Sequence, residues 1–157
     1  MLFVYKTMNN SVNIEKLKRE HIEGVAQIEN VCFSEPWSIG AFESEINNEN
    51  AFFYIASVDN IIAGYMGFHT VLDEGYAANI AVLPEYRRQG IASALMQNAV
   101  NICKSVPLSF LSLEVRISNG AAIALYERFG FKIVGERKNF YSSPKENAYI
   151  MTLYFDR

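Results

Sequence analysis

Apolar and polar positions along this chain switch repeatedly between a period of two and a period near 3.6, and the switches mark out its elements. Residues 12–18 alternate as a short strand. Val25, Ile28, Val31 and Cys32 then recur at helical spacing. Pro36-Trp37-Ser38 breaks that helix, and Ser38 is placed to cap a second short one through about residue 46. Residues 51–58 and 61–71 are β-rich runs joined at Asp59-Asn60, a pair suited to a two-residue hairpin turn. Residues 74–82 form a third long strand. Ile91, Ala92, Leu95, Met96, Ala99, Val100 and Cys103 return to helical spacing, with Ser93, Gln97, Asn98, Asn101 and Lys104 on the other face. Residues 108–115 read as a strand. Asn119 caps a further helix, which Gly130 ends, and residues 131–138 and 147–155 close the pattern as two strands. The order predicts an α/β (α+β) fold: one mixed, mostly antiparallel sheet of about seven strands with helices on both faces.

Composition narrows this to one compact unit. With 157 residues, half of them hydrophobic and 13% aromatic, the chain has enough apolar surface for a single core. A single domain is expected over residues 12–157. Residues 1–11 are expected to be a tail, the part before Met8 being either disordered or the product of an alternative translation start. A net charge of −3 argues against a general nucleic-acid binder and fits a basic polypeptide partner only weakly. Cys32 and Cys103 are distant in sequence and sit within helical patterns, so they read as small buried hydrophobes in a reducing compartment. His21 and His69 form no ligand-spaced cluster with them, so no metal is expected. No stretch is long and apolar enough for a membrane span, and the opening run is too short for a signal segment. A cytoplasmic protein, monomeric or weakly dimeric, is expected.

The chemistry starts where the third strand ends. Asn79-Ile80-Ala81-Val82 runs into Leu83-Pro84-Glu85-Tyr86-Arg87-Arg88-Gln89-Gly90, and a helix begins at Ile91. Backbone N–H groups at a helix start lack internal partners and carry the positive end of the helix dipole. Gly90 and Ala92 keep side chains out of the way, so a pyrophosphate can approach those donors. The plainer reading is a helix start with an exposed basic pair, since the bare pattern arises by chance in roughly one chain in seven of this length. A P-loop and a dinucleotide fingerprint are both excluded, because their glycine and lysine positions are missing.

This loop resembles the pyrophosphate loop of the GNAT superfamily of acetyl-CoA-dependent N-acetyltransferases. Leu113-Glu114-Val115-Arg116-Ile117-Ser118-Asn119 and Ala121 through Phe131 extend the likeness, as do Phe33-Ser34-Glu35-Pro36-Trp37-Ser38 and Asn139-Phe140-Tyr141. These segments are similar to the RimI-type branch, whose members acetylate the N-terminal alanine of a ribosomal protein (bS18). The resemblance covers residues 12–155. It implies a splayed acetyl-CoA cleft, with pantetheine paired to the backbone of Ile80, Ala81 and Val82. The pyrophosphate is implied to lie on Arg88, Gln89, Gly90, Ile91, Ala92 and Ser93. Asn119 matches a position that contacts CoA near its reacting end, and its plainer role is to cap the following helix. Acetyl-CoA is thus the implied cosubstrate and a protein N-terminus the implied acceptor.

Acyl transfer from a thioester to an amine needs a neutral amine and a proton for the departing thiolate. Along the strand, Leu111, Leu113 and Val115 point one way, while Phe110, Ser112 and Glu114 point the other. The bland reading of Glu114 is an ion pair, with Arg116 on the same strand face as the candidate partner. The resemblance makes Glu114 the general base, acting through water, and Tyr126 the acid. An aromatic at helical spacing is otherwise more often core. An α-amine with pKa near 8 costs only ~1.4 kcal/mol to deprotonate at pH 7, against roughly 4.6 for a lysine, so one carboxylate suits an N-terminal acceptor.

Residues 33–38, between the first two helices, and 139–145, between the last two strands, match the walls of the branch's peptide groove. Trp37 and Tyr141 are the candidate substrate contacts, Trp37 reading equally well as a core plug. Glu35 departs from the small or apolar residue usual in the motif, and Phe140 from the commoner tyrosine, which loosens strict specificity for alanine. Three alternatives stay open: a small-amine acetyltransferase, a protein-lysine acetyltransferase, and a non-catalytic CoA-binding module that would be expected to lose Glu114, Tyr126 or the loop.

Overall fold

The computed structural model describes residues 2–6 and 11–156. Its strands are β1 (Leu2–Lys6), β2 (Ser11–Lys16), β3 (Ala51–Val58), β4 (Ile61–Val71), β5 (Glu74–Val82), β6 (Phe110–Arg116), β7 (Lys132–Ser142) and β8 (Lys145–Tyr154). The helices are α1 (Ile22–Cys32), α2 (Ile39–Ile46), α3 (Ile91–Ser105) and α4 (Gly120–Arg128). The strands form one sheet in the order β1-β2-β3-β4-β5-β6-β8-β7. The β5–β6 ladder is parallel, and α3 supplies the crossover that parallel neighbours need. The β1–β2, β2–β3, β3–β4, β6–β8 and β7–β8 ladders are antiparallel. The mixed, mostly antiparallel sheet expected from the sequence is present.

Two expectations need correction. Residues 2–6, expected as part of a tail, form an edge strand paired from Leu2 against Glu15 to Lys6 against Ser11. Residues 7–10, the rest of that tail together with Met1, lie outside the described residues, apart from Ser11, which opens β2. Residues 139–145 were expected to connect the last two strands. They instead belong largely to the strands, which run on to Ser142 and Lys145. The register shifts between Arg137 and Tyr141, where Asn139 takes a left-handed φ of 55°. Asn147 bridges the bulge, its Oδ1 accepting from the Asn139 N–H at 2.9 Å and its Nδ2 donating to Glu136 at 2.9 Å. One asparagine supplies the permissive backbone and another its partner, so the pattern of alternation breaks while the strand continues.

The local signals that set the turns behave as their chemistry requires. Asp59 and Asn60 both adopt positive φ, 50° and 65°, in the β3–β4 turn. Ser38 Oγ accepts the Ala41 N–H at 3.1 Å, and Asn119 Oδ1 accepts that of Ala122 at 3.2 Å. Gly130, at φ 97°, ends α4: its N–H donates to Glu127 and that of Phe131 to Tyr126, the paired bonds of a Schellman end.

The chain divides into two compact units, residues 1–69 with 78–99 and residues 70–77 with 100–157. Strands β4 and β5 and helix α3 each run from one unit into the other. In the first unit, Leu17, Ile22, Val25 and Ile28 pack with Phe42, Phe53, Ile55 and Tyr65. Rings organise this core: Phe42 stands edge-on to Tyr65 at 5.6 Å, and Trp37 lies 5.4 Å from Phe42 and 5.9 Å from Phe53. In the second unit, Leu111, Leu113 and Val115 are buried on one face of β6, and Phe110, Ser112, Glu114 and Arg116 are half-buried on the other. The strand alternation read from the sequence holds.

Candidate functional site

In the first unit, β5 delivers its last residues to a short turn and then to α3. Ala81 and Val82 are buried and Ile80 is half-buried. Leu83 N–H donates to Ala63 O at 2.8 Å, and a 3₁₀ turn follows over Pro84–Tyr86. Arg88 and Gly90 both take positive φ, 61° and 82°, and the first helical bond runs from Ala94 N–H to Gly90 O at 3.0 Å. Two left-handed residues in three turn the chain sharply, so the α3 N-terminus opens onto the loop with the N–H groups of Ile91, Ala92 and Ser93 in its first turn. Gln89 donates from Nε2 to Glu85 O at 3.3 Å and ties the loop to itself.

The two arginines of this loop do different jobs. Arg87 turns back onto the fold, donating from Nε to Val82 O at 3.0 Å and from Nη2 to the Cys32 sulfur at 3.6 Å. Cys32 donates its thiol proton to the same Val82 carbonyl at 3.6 Å, and burial pushes that thiol's pKa up. The Val82 carbonyl is therefore engaged from within the fold. Arg88 is exposed.

The same unit holds an acidic group that sequence reasoning passed over. Glu29 is fully buried near the end of α1. Its Oε2 accepts the Tyr65 hydroxyl at 2.6 Å, and its Oε1 accepts the Trp37 N–H at 3.0 Å and Asn79 Nδ2 at 3.4 Å. Burial raises the pKa of Glu29 against the pull of those bonds, and burial with the neighbouring carboxylate raises that of Tyr65. Trp37, a candidate substrate contact, is half-buried, its ring among Phe42 and Phe53.

The second unit carries Glu114, Asn119, Tyr126 and Tyr141. Glu114, about a third exposed, pairs through Oε1 with Arg137 Nε at 3.3 Å. The expected partner, Arg116, is committed elsewhere. It bonds Glu146 at 3.2 Å and the carbonyls of Pro144 at 2.9 Å and Ser143 at 3.3 Å, and its guanidinium lies 4.2 Å from the centre of the Tyr141 ring. Glu146 also accepts the Ser118 N–H at 2.7 Å, and its bonds from Ser118 and Arg116 hold its carboxyl below the usual range. One chain of contacts thus fixes the Tyr141 ring and the backbone just before the Asn119 cap.

Tyr126 is buried on α4, 5.7 Å from Phe131, and burial first and the neighbouring Tyr141 second push its pKa well up. Glu114 in turn contributes to raising the pKa of Tyr141, itself lifted mainly by burial. Tyr141 therefore lies within electrostatic reach of both Glu114 and Tyr126. A carboxylate open to solvent is suited to accepting hydrogen bonds, and a buried phenol held in its protonated form is suited to donating one. Sequence reasoning missed Arg137, Glu146 and Glu29. Among the described residues no group of three or more His, Cys, Asp or Glu could hold a metal, and no helix is long and apolar enough to cross a membrane.

The profile of the Acetyltransferase (GNAT) family matches residues 22–131. A [ribosomal protein bS18]-alanine N-acetyltransferase of Haemophilus ducreyi is 37% identical over 147 residues, covering 90% of this chain and 99% of that protein. The Escherichia coli K12 protein of the same name is 35% identical over 142 residues, covering 89% and 95%. A crystal structure of the ribosomal-protein-S18-alanine N-acetyltransferase from Escherichia coli superposes with a TM-score of 0.85 at 34% identity, covering 93% of this chain and 95% of that one.

Proposed function

The chain belongs to the acetyltransferase (GNAT) family, and from that premise we propose that it moves the acetyl group of acetyl-CoA to the α-amine of a protein N-terminus, the N-terminal alanine of ribosomal protein bS18. The observation that carries this reading is the likeness, along nearly the whole chain, to two enzymes named for that reaction. In this reading the backbone of Ile80, Ala81 and Val82 pairs with pantetheine, the Val82 carbonyl excepted, since Arg87 and Cys32 already hold it. Arg88, Gln89, Gly90, Ile91, Ala92 and Ser93 hold the pyrophosphate, and Asn119 contacts CoA while capping α4. Trp37 and Tyr141 belong to the acceptor groove. No metal, nucleic acid or membrane is required, and the reaction belongs in the cytoplasm, where ribosomal proteins are made.

Glu114 takes a proton from the α-ammonium through water, and the neutral amine attacks the thioester carbonyl. The tetrahedral intermediate collapses with cleavage of the C–S bond, and the thiolate meets the Tyr126 hydroxyl. Complete proton transfer from a phenol near pKa 10 to a thiolate near 8.5 is uphill by about 2 kcal/mol, and burial of Tyr126 widens that gap. Tyr126 therefore acts chiefly by donating a hydrogen bond to the developing thiolate, and the second proton, which attack leaves on the acceptor nitrogen, passes through water to the departing CoA sulfur. The test is a panel of otherwise identical peptides beginning with Ala, Ser or Met, plus an N-terminally blocked peptide bearing free lysines, read by mass spectrometry. Acetylation confined to free α-amines and fastest on alanine is expected. Equal rates on the blocked peptide would make this a lysine enzyme.

A further inference from the structure

Glu29 has no part in the chemistry just described, yet it is the fully buried acid of the first unit. A carboxylate rarely enters a core without a strong reason, and here three donors from three different segments converge on it: Trp37 N–H, Tyr65 O–H and Asn79 Nδ2. Its backbone is engaged as well, since Glu29 O accepts the Phe33 N–H at 2.9 Å and closes α1. One residue therefore holds both ends of the stretch from Phe33 to Trp37, the first end through its main chain and the second through its side chain. Immediately beyond, Ser38 caps α2, and the Trp37 ring is wedged among Phe42 and Phe53. The other carboxylate oxygen reaches β4 through Tyr65, and Asn79 stands next to Ile80 on β5.

We propose that Glu29 is a positioning residue for the acceptor: its carboxylate sets the backbone of residues 33–37 in the one geometry that receives the peptide. This rests on the reading of residues 33–38 as a wall of the peptide groove. The physical reason is that a buried acceptor bonded to the Trp37 N–H fixes the far end of a connection between two helices that otherwise keeps the freedom of several backbone torsions. A glutamine keeps an acceptor for the Trp37 N–H and can turn its amide toward the Tyr65 oxygen. An alanine leaves the Trp37 N–H without that partner.

The experiment is steady-state kinetics of Glu29→Ala and Glu29→Gln with a free N-terminal alanine peptide and acetyl-CoA, alongside amide hydrogen exchange at Trp37. Glu29→Ala is expected to raise the acceptor KM about tenfold with the acetyl-CoA KM within about twofold, and to speed exchange at Trp37; Glu29→Gln restores most of both. Equal rises in the two KM values, an unmoved acceptor KM, or a glutamine variant as impaired as the alanine one would overturn the proposal. Where Glu29→Ala does not fold, Tyr65→Phe takes its place, with an expected acceptor-only rise of about two- to fivefold, and no rise overturns it. Glu35→Arg, at an exposed position of the same stretch, separates the proposal from its premise. If Glu35→Arg raises the acceptor KM and Glu29→Ala does not, the wall stands and Glu29 is not what sets it; if neither moves it, the wall reading itself falls.

Discussion

Two glutamates, one in each compact unit, show how differently this chain uses a carboxylate. Glu114 on β6 is about a third exposed and meets the long, flexible side chain of Arg137, itself more than half exposed. Glu29 on α1 has no exposed surface and meets a backbone N–H, a phenol and an amide. An exposed ion pair contributes little to stability and breaks readily, so the Glu114 carboxylate is left open to solvent. A buried, fully bonded carboxylate is costly to disturb, so Glu29 is suited to holding the backbone in place. The same contrast separates the surroundings: the first unit presents backbone groups at β5 and the α3 N-terminus, and the second presents side chains from β6, α4 and the β7–β8 hairpin.

The sharpest way to break the comparison is to remove the charge of Glu114. Glu114→Gln is expected to lower kcat by about 10²–10⁴, the usual worth of a general base, with acetyl-CoA affinity unchanged. Raising the pH should recover part of the loss by supplying neutral amine. Full activity at pH 7 would reduce Glu114 to a partner for Arg137 and erase the functional difference between the two acids.

Next in size is the backbone device of the first unit. Gly90 sits at φ 82°, where a β-branched residue is strained, and its replacement brings a side chain to the mouth of the helix start. Calorimetric titration of Gly90→Val should show acetyl-CoA affinity reduced about tenfold or more, with Glu114-dependent chemistry intact at saturating cosubstrate. Unchanged affinity would mean that the pyrophosphate does not use this loop.

These expectations differ in how far the sequence alone could supply them. The α3 loop, the Asp59-Asn60 turn, the Ser38 and Asn119 caps and the Gly130 stop were legible because each is decided within a few residues by backbone sterics or a local hydrogen bond. Both faces of β6 were legible for the same reason. Glu29 was not, because its partners Tyr65 and Asn79 lie 36 and 50 residues away and nothing in α1 distinguishes a polar position that faces water from one that faces a hydroxyl. Arg116, on the same strand face, was the partner that alternation offered for Glu114, and Arg137 is the one the fold supplies. The bulge at Asn139 and the competing pull of Glu146 and the Ser143 and Pro144 carbonyls decide between them, and these follow from pairing register, which alternation alone does not fix. Strand β1 was hidden because four apolar residues ending in a lysine have no face to declare until β2 is beside them.

The smallest effect probes the cost of the buried acid. Burial, the largest influence on Glu29, raises its pKa above the ordinary glutamate value despite the bonds from Tyr65 and Trp37. Between those two pKa values the folded chain binds more protons at this site than the unfolded chain, so stability falls as pH rises through that window and stays lower above it. A neutral isostere escapes this cost. Glu29→Gln should therefore melt at the same temperature as the parent or a few degrees higher at pH 7. The difference should shrink as pH is lowered toward the ordinary glutamate value near 4.3, where the parent carboxyl is itself neutral. Calorimetric melting of both proteins across pH 4.5–8 measures it. A variant whose deficit against the parent grows as pH rises would show that the three bonds to the ionised form outweigh its burial, and that Glu29 differs from Glu114 by stabilising the fold outright as well as by holding residues 33–37.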